Sequence, residues 1–254
     1  MNAGAAATGR GATVDETRAR EDLAAAFRWT ARLGLHEAVS NHFSLALGDG
    51  PDAPFLIQPA GRHFSRVRAS ELLAIAPDGR VLSGKGAVDP TALHIHAGIH
   101  RNVPAARCIL HTHMPYATAL ACVEGGRLEP VSQNALKFFE RVAYDEDFRG
   151  MALDDDEGDR LARVLADKPV LFMGNHGVTV TGRDVVEAFD RLYFLEKACE
   201  TQMLAASTGQ PLRRVDERTA RRTRDEWEGY PGLAENHFAE IRAILDAESP
   251  DYRS

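Results

Sequence analysis

The 254-residue chain has no apolar run long enough to cross a membrane and no excess of positive charge. Its longest apolar stretches, such as Val170–Met173, fall far short of the roughly 20 residues a spanning helix needs. The N-terminus also lacks the apolar core of a signal peptide, so the expectation is a cytoplasmic protein with no membrane partner. The formal net charge is -7 and no basic stripe is present, which argues against a nucleic-acid partner. Cysteine is scarce. Cys108, Cys122 and Cys199 lie in apolar-looking segments without a Cys-x-x-Cys spacing, which speaks against a disulfide framework and predicts reduced, buried thiols. There is no internal repeat and no clear linker. With 44% hydrophobic and 26% charged residues, what remains is the composition of an ordinary globular protein able to bury a core.

Residues 1–15 read as a disordered leader, because Ala, Gly and Thr dominate without an apolar period. From Glu21 to Leu33, apolar residues at three- and four-residue intervals predict an amphipathic helix that Gly34 ends. The period then shifts. His42 to Leu47 alternates polar and apolar, Gly48-Asp49-Gly50-Pro51 is a turn, and Phe55-Leu56-Ile57 resumes an extended run, so a β-hairpin is expected. A short helix at Ala69 to Leu73 and short strands at Leu72-Ala76 and Arg80-Val81-Leu82 follow. Asp89-Pro90 has the cap and first-turn proline of a helix running to about Asn102. Cys108-Ile109-Leu110 leads into His111-Thr112-His113 as a buried strand, with a helix from Tyr116 to Val123 behind it. Acidic residues 154–157 suit the positive end of a helix through Leu165. Strands at Pro169–Met173 and Val178–Val180 flank Asn175-His176-Gly177. Val185 to Met203 is expected to be the largest helix, ahead of a charged tail from Arg213 and a last amphipathic helix from Leu233 to Leu245. Helices mixed with hairpin-like strands predict one α/β domain, residues 16–254, around a mostly antiparallel sheet flanked by helices with a helical C-terminal tail.

Alternate side chains of a strand share a face about 6.5 Å apart, so His111 and His113 project together and can chelate one ion. A lone His-x-His also fits two core histidines that hold one another. Two features weigh toward a metal: the pair ends a strongly apolar strand, and His176, followed by a permissive glycine, ends another. Geometry alone leaves the two readings level.

Several segments together resemble the class II aldolase/adducin family: Val39-Ser40-Asn41-His42-Phe43-Ser44, Phe55-Leu56-Ile57-Gln58-Pro59-Ala60-Gly61, the stretch from His96 to His113, and Asn175 to Gly182. They cover roughly Asp22 to Ser207, and the order and spacing of the four motifs are specific. Asn-His-Phe-Ser, Asp-Pro-Thr-Ala and Ile-His-Ala-Gly-Ile-His look closest to the adducin-like branch. The resemblance implies a class II aldolase-like fold and one divalent metal ion on His111, His113 and His176, with zinc first and manganese, iron or cobalt as alternatives. It further implies carbon–carbon lyase chemistry, retro-aldol or decarboxylating, on a small anionic hydroxy- or oxo-acid or sugar acid, and a homo-oligomer with a tetramer favoured. A sugar-phosphate epimerase and an adducin-like scaffold are the rivals.

The sequence departs from the aldolase pattern at two places. Ala92 stands where aldolases carry an acid/base glutamate, and His96, one helical turn on, is the candidate for proton transfer. Asn41-His42, Ala60-Gly61 and Pro90-Thr91 replace the Gly-Asn, Ser/Thr-Gly and Ser-Ser pairs of phosphate binders. Asn41, the Gly61 amide and Arg62, with His63 beside them, are the candidate anion clamp, and a carboxylate fits as well as a phosphate. His36, His94 and His100 are expected to be structural or surface residues, and Tyr144 a core-edge residue or a substrate contact.

Overall fold

The computed structural model describes residues 15–254. Apart from Asp15, the expected leader lies outside the described residues. Asp15 itself is the N-cap of α1 (Glu16–Arg32), its carboxylate accepting from the Arg18 amide at 3.3 Å. The helix begins five residues earlier than its apolar period suggests, because the Arg20–Glu16 and Arg18–Asp22 pairs support polar first turns that carry no hydrophobic signal. Gly34, at φ +68°, closes it with paired end bonds, Leu35 N to Thr30 O at 3.0 Å and Gly34 N to Ala31 O at 3.1 Å.

The hairpin follows as β1 (His42–Ala46) and β2 (Phe55–Ile57), then β3 (Leu73–Ile75) and β4 (Val81–Ser83). The expected helix near Ala69 is a single 3-10 turn, Ala69–Glu71. Next come α2 (Pro90–Asn102), capped by Asp89, then β5 (Cys108–Thr112) and α3 (Pro115–Ala121). Two short elements that no sequence period announces, α4 (Gln133–Leu136) and β6 (Val142–Asp145), precede α5 (Asp155–Leu165). The chain ends through β7 (Val170–Met173), β8 (Gly177–Gly182), α6 (Val185–Ala206), α7 (Glu217–Gly229) and α8 (Leu233–Glu248).

The eight strands form one sheet in the order β4-β3-β2-β1-β5-β8-β7-β6, antiparallel everywhere except at β6–β7. The protein is therefore a single mixed α/β domain with helices on both faces of a central sheet. On one face, Phe43, Leu110, Val178 and Val180 pack with Leu23 and Phe27 of α1 and with Phe189 and Leu192 of α6. On the other, Ile109, Leu171 and Met173 meet Ile95 and Ile99 of α2 and Leu161 and Leu165 of α5. Double covering explains why β1 and β5 are buried at every position. It also gives the polar residues of the alternating stretch an inner place: His42 and Ser44 point at α2, not at solvent. A correction concerns the thiols. Cys108 and Cys199 are buried, but Cys122 is exposed just after α3, where the helix's apolar face has ended. No helix among the described residues is long and apolar enough to cross a membrane.

Candidate metal centre

The α2 face of the sheet becomes polar where β5 ends. His111 and Ile109 share that face, and the registers place His42 of β1 on one side of His111 and Thr179 of β8 on the other. His111 is fully buried, with Nδ1 3.3 Å from Thr179 Oγ1. Thr179 Oγ1, which also lies 3.4 Å from Met173 Sδ, can accept a proton carried on His111 Nδ1. His113 Nδ1 lies 2.6 Å from Glu37 Oε2, and a carboxylate acceptor fixes its proton on Nδ1 as well. Both rings turn Nε2 toward the same point, and those atoms stand 3.2 Å apart.

Two nitrogens of a tetrahedral site with 2.0–2.1 Å bonds would be roughly 3.3 Å apart. The third imidazole comes from the three-residue turn joining β7 to β8. There Asn175 takes φ +56°, a left-handed conformation that asparagine tolerates, and His176 is brought to ring-centre distances of 4.8 Å from His111 and 4.9 Å from His113. Each of the three rings offers a nitrogen within 4.8 Å of the others. Burial, with the charge of His113 second, pushes His176 down to about 4, and burial holds His111 well below the ordinary imidazole value. At neutral pH His111 and His176 are neutral, the form a metal requires. The donor type, the convergence and the tethered outer nitrogens all fit a divalent ion, as in carboxylate–histidine–metal arrangements.

The other candidates are distributed around this centre. His96 is fully buried on α2, and Nε2 and Nδ1 are both engaged, by His42 Nδ1 at 2.7 Å and by Ser44 Oγ. It reaches the triad only through His42, whose ring stacks on His111 with centres 4.6 Å apart. Ala92, also fully buried, belongs to an apolar cluster with Phe55, Ile57 and Ile75. Asn41 is almost fully buried, with Oδ1 accepting from the Glu37 amide at 2.7 Å and Nδ2 unpartnered. Gly61, at φ +74°, and Arg62 line an open cavity of about 590 Å³ with Lys85, and Arg62 is paired there with Glu71. None of the three metal-site histidines lines that cavity. His36 contacts His63 and stacks on Phe64, and His94 meets Asp155 at 2.9 Å. Half-buried Tyr144 accepts from the Leu128 amide at 3.0 Å beneath Arg127.

Glu37 and Thr179, the partners of the His113 and His111 rings, are the site residues that sequence reasoning missed. Thr179 lies two residues past Gly177 on a strand expected to run beside His176, which is a usable signal. Glu37 sits 76 residues before His113 on a loop, and nothing local marks it.

Comparison with known proteins agrees with this geometry. The Class II Aldolase and Adducin N-terminal domain matches residues 21–203. An aldolase II superfamily protein from Pseudomonas syringae superposes with a TM-score of 0.86 at 32% identity, over 94% of this chain and 96% of that one. An L-fuculose 1-phosphate aldolase from Glaciozyma antarctica PI12 superposes with a TM-score of 0.84 at 26% identity, over 100% of this chain and 97% of that one. Decarboxylase NovR of Streptomyces niveus is 30% identical over 74% of this chain and 70% of its own length. A domain match that spans most of the chain, with a shared fold around its three-histidine centre, makes this protein a member of the class II aldolase/adducin family.

Proposed function

We propose that the protein is a metal-dependent carbon–carbon lyase, retro-aldol or decarboxylating, acting on a small hydroxy- or oxo-acid or sugar acid. The observation that carries this reading is the pair of Nε2 atoms 3.2 Å apart, with His176 closing the set of three. A divalent ion held there, zinc first, supplies positive charge to the oxyanion that develops on the substrate when the bond breaks. Glu37 and Thr179 orient two of the ligand rings. Asn41 offers a free, buried amide donor beside His42, suited to a carboxylate or phosphate oxygen. Gly61 and Arg62 would serve the far end of a longer anion from their own cavity.

Within this class, decarboxylation is the better fit. Retro-aldol cleavage must remove a hydroxyl proton, which the glutamate of an aldolase would take, and here an alanine in an apolar cluster occupies that position. Loss of carbon dioxide needs no such base, and the similarity to a decarboxylase points the same way. A homo-oligomer, with a tetramer favoured, agrees with Phe148, Met151 and Leu153 standing exposed on the segment whose Phe148 ring lies 6.4 Å from His176.

The test is metal analysis of protein purified without chelator beside a His111→Ala/His113→Ala double variant. Stoichiometric ion in the parent alone is expected; a metal-free parent that takes up no zinc would falsify the reading. A panel of hydroxy- and oxo-acids, followed for carbon dioxide and aldehyde, then separates the two cleavage modes.

A further inference from the structure

We infer that His36 is a positioning residue for the metal centre: a hydrogen bond from His63 fixes the loop that carries Glu37, and Glu37 aims the His113 ring. That the ring so aimed is a metal ligand rests on the function proposed above; the path from His63 to His113 does not.

The Glu37 carboxylate does not hold its own place. Its side chain is 65% exposed, yet Oε2 lies 2.6 Å from His113 Nδ1. A glutamate so exposed spreads over many rotamers unless its backbone is already delivered to the partner. The loop that delivers it, residues 33–41, joins α1 to β1. Ala38, directly after Glu37, takes φ +45°, in the left-handed region where an alanine is strained. Such a residue persists only where its surroundings hold it. Two contacts do so on either side of Glu37. Its own amide donates to Asn41 Oδ1 at 2.7 Å, and His36, the residue before it, is bonded across the fold to His63.

The bond between the two rings runs in one direction. The Ser65 amide donates to His63 Nδ1 at 3.2 Å, capping the 3-10 turn Phe64–Arg66. An amide N–H can only donate, so Nδ1 accepts and the neutral ring carries its proton on Nε2. That atom lies 3.0 Å from His36 Nε2, which therefore accepts. The anchor behind it is seated in the core. Phe64, next to His63, is fully buried with its ring centre 4.6 Å from that of Phe27 and 4.9 Å from that of Phe43. Phe64 also stacks on His36, with ring centres 5.3 Å apart and planes at 13°. His36 is thus held twice, by an acceptor nitrogen toward His63 and by a ring face on Phe64. The nitrogen is what resists a shift of the loop, because a hydrogen bond is directional whereas stacked rings tolerate an offset.

Two variants separate the two holds. His36→Phe keeps a ring on Phe64 and has no acceptor, while His36→Gln keeps a carbonyl acceptor and has no ring. Zinc affinity of the full-length protein, read by competition with a chromogenic chelator, is expected to fall about fivefold in His36→Phe and to stay within about twofold of wild type in His36→Gln. The opposite order would assign the ring to packing alone and overturns the inference. His63→Asn cuts the same bond from the other side, since it still caps the turn but is too short to reach His36, and is expected to match His36→Phe. Urea unfolding of each variant confirms that it is folded. A double-variant cycle then tests the route. Glu37→Ala is expected to lower affinity at least about tenfold by itself, and adding His36→Phe to it should cost nothing further. A second drop of about fivefold on that background would mean that His36 does not act through Glu37. If wild type takes up no zinc, the metal reading falls, and crystal structures of metal-free wild type and His36→Phe decide the positioning. Glu37 should stay on His113 in the first and leave it in the second; an unmoved Glu37 overturns the inference.

Discussion

At the scale of single residues, the three-histidine cluster depends on atoms outside it. Glu37 accepts at the outer nitrogen of His113 and Thr179 lies against that of His111, an arrangement that leaves the inner nitrogens free to hold a metal. Gly177 does a different job. A Cβ there would stand 2.6 Å from the Thr112 carbonyl oxygen and 2.8 Å from His113 Cδ2, so the turn carrying His176 approaches β5 only because this residue has no side chain. Gly177→Ala is expected to displace the His113 ring, lower zinc affinity at least about tenfold and destabilise the fold by about 1–3 kcal/mol. Competition with a chromogenic chelator and urea unfolding measure the two effects, and an unchanged affinity would show that the close approach does not set the site. The three-histidine cluster was legible in the sequence because strand period places His111 and His113 on one face and because Gly177 follows His176. Glu37 was not, since its partner is chosen by how a loop crosses the sheet edge rather than by any spacing along the chain.

At the scale of elements, the contacts of His96 with His42 and Ser44 depend on where α2 lies, and α2 is located by a backbone contact with α5. A Cβ on Gly98 would meet the Gly158 carbonyl carbon at 2.4 Å, and one on Gly158 would meet the His94 carbonyl oxygen at 2.1 Å. Backbone atoms cannot rotate away as a side chain can, so Gly98→Ala forces the helices apart. The expected cost is about 1–3 kcal/mol or more, read as a lower urea midpoint. A midpoint within error of wild type would mean the helix pair has slack. In the sequence, Gly98 is only a weak helix former inside an otherwise clear period, so α2 was legible while its contact was not. The same limit explains α4 and β6, four residues each, too short to display a period and held by neighbours. The long elements, α6 above all, announced themselves because one face repeats over many turns.

At the scale of the whole molecule, five imidazoles from four segments are gathered against one face of a doubly covered sheet, and the protein's acid stability follows from that. His42 and His100 titrate near 3 and His176 near 4, with His96 and His111 well below the ordinary value of 6.5. Above pH 6.5 these rings are neutral in both the folded and the unfolded chain, and stability does not depend on pH through them. Below it the unfolded chain takes up protons that the folded chain refuses. Each such ring then subtracts about 1.4 kcal/mol per pH unit until its folded value is reached. A domain of ordinary stability, about 5–15 kcal/mol, has little reserve against several rings acting together. The urea midpoint of the metal-free protein is therefore expected to be flat from about pH 8 to 7, to fall from about pH 6.5, and to approach zero before the surface carboxylates protonate. A midpoint that holds steady between pH 7 and 5 would show that the buried rings are charged in the folded state. Zinc adds a second slope to the same curve, because it binds only the folded chain and only unprotonated nitrogens. Loaded protein should be more stable than metal-free protein at pH 7.5, and the difference should shrink as the pH falls, since acid removes the ligands and the fold by the same protons.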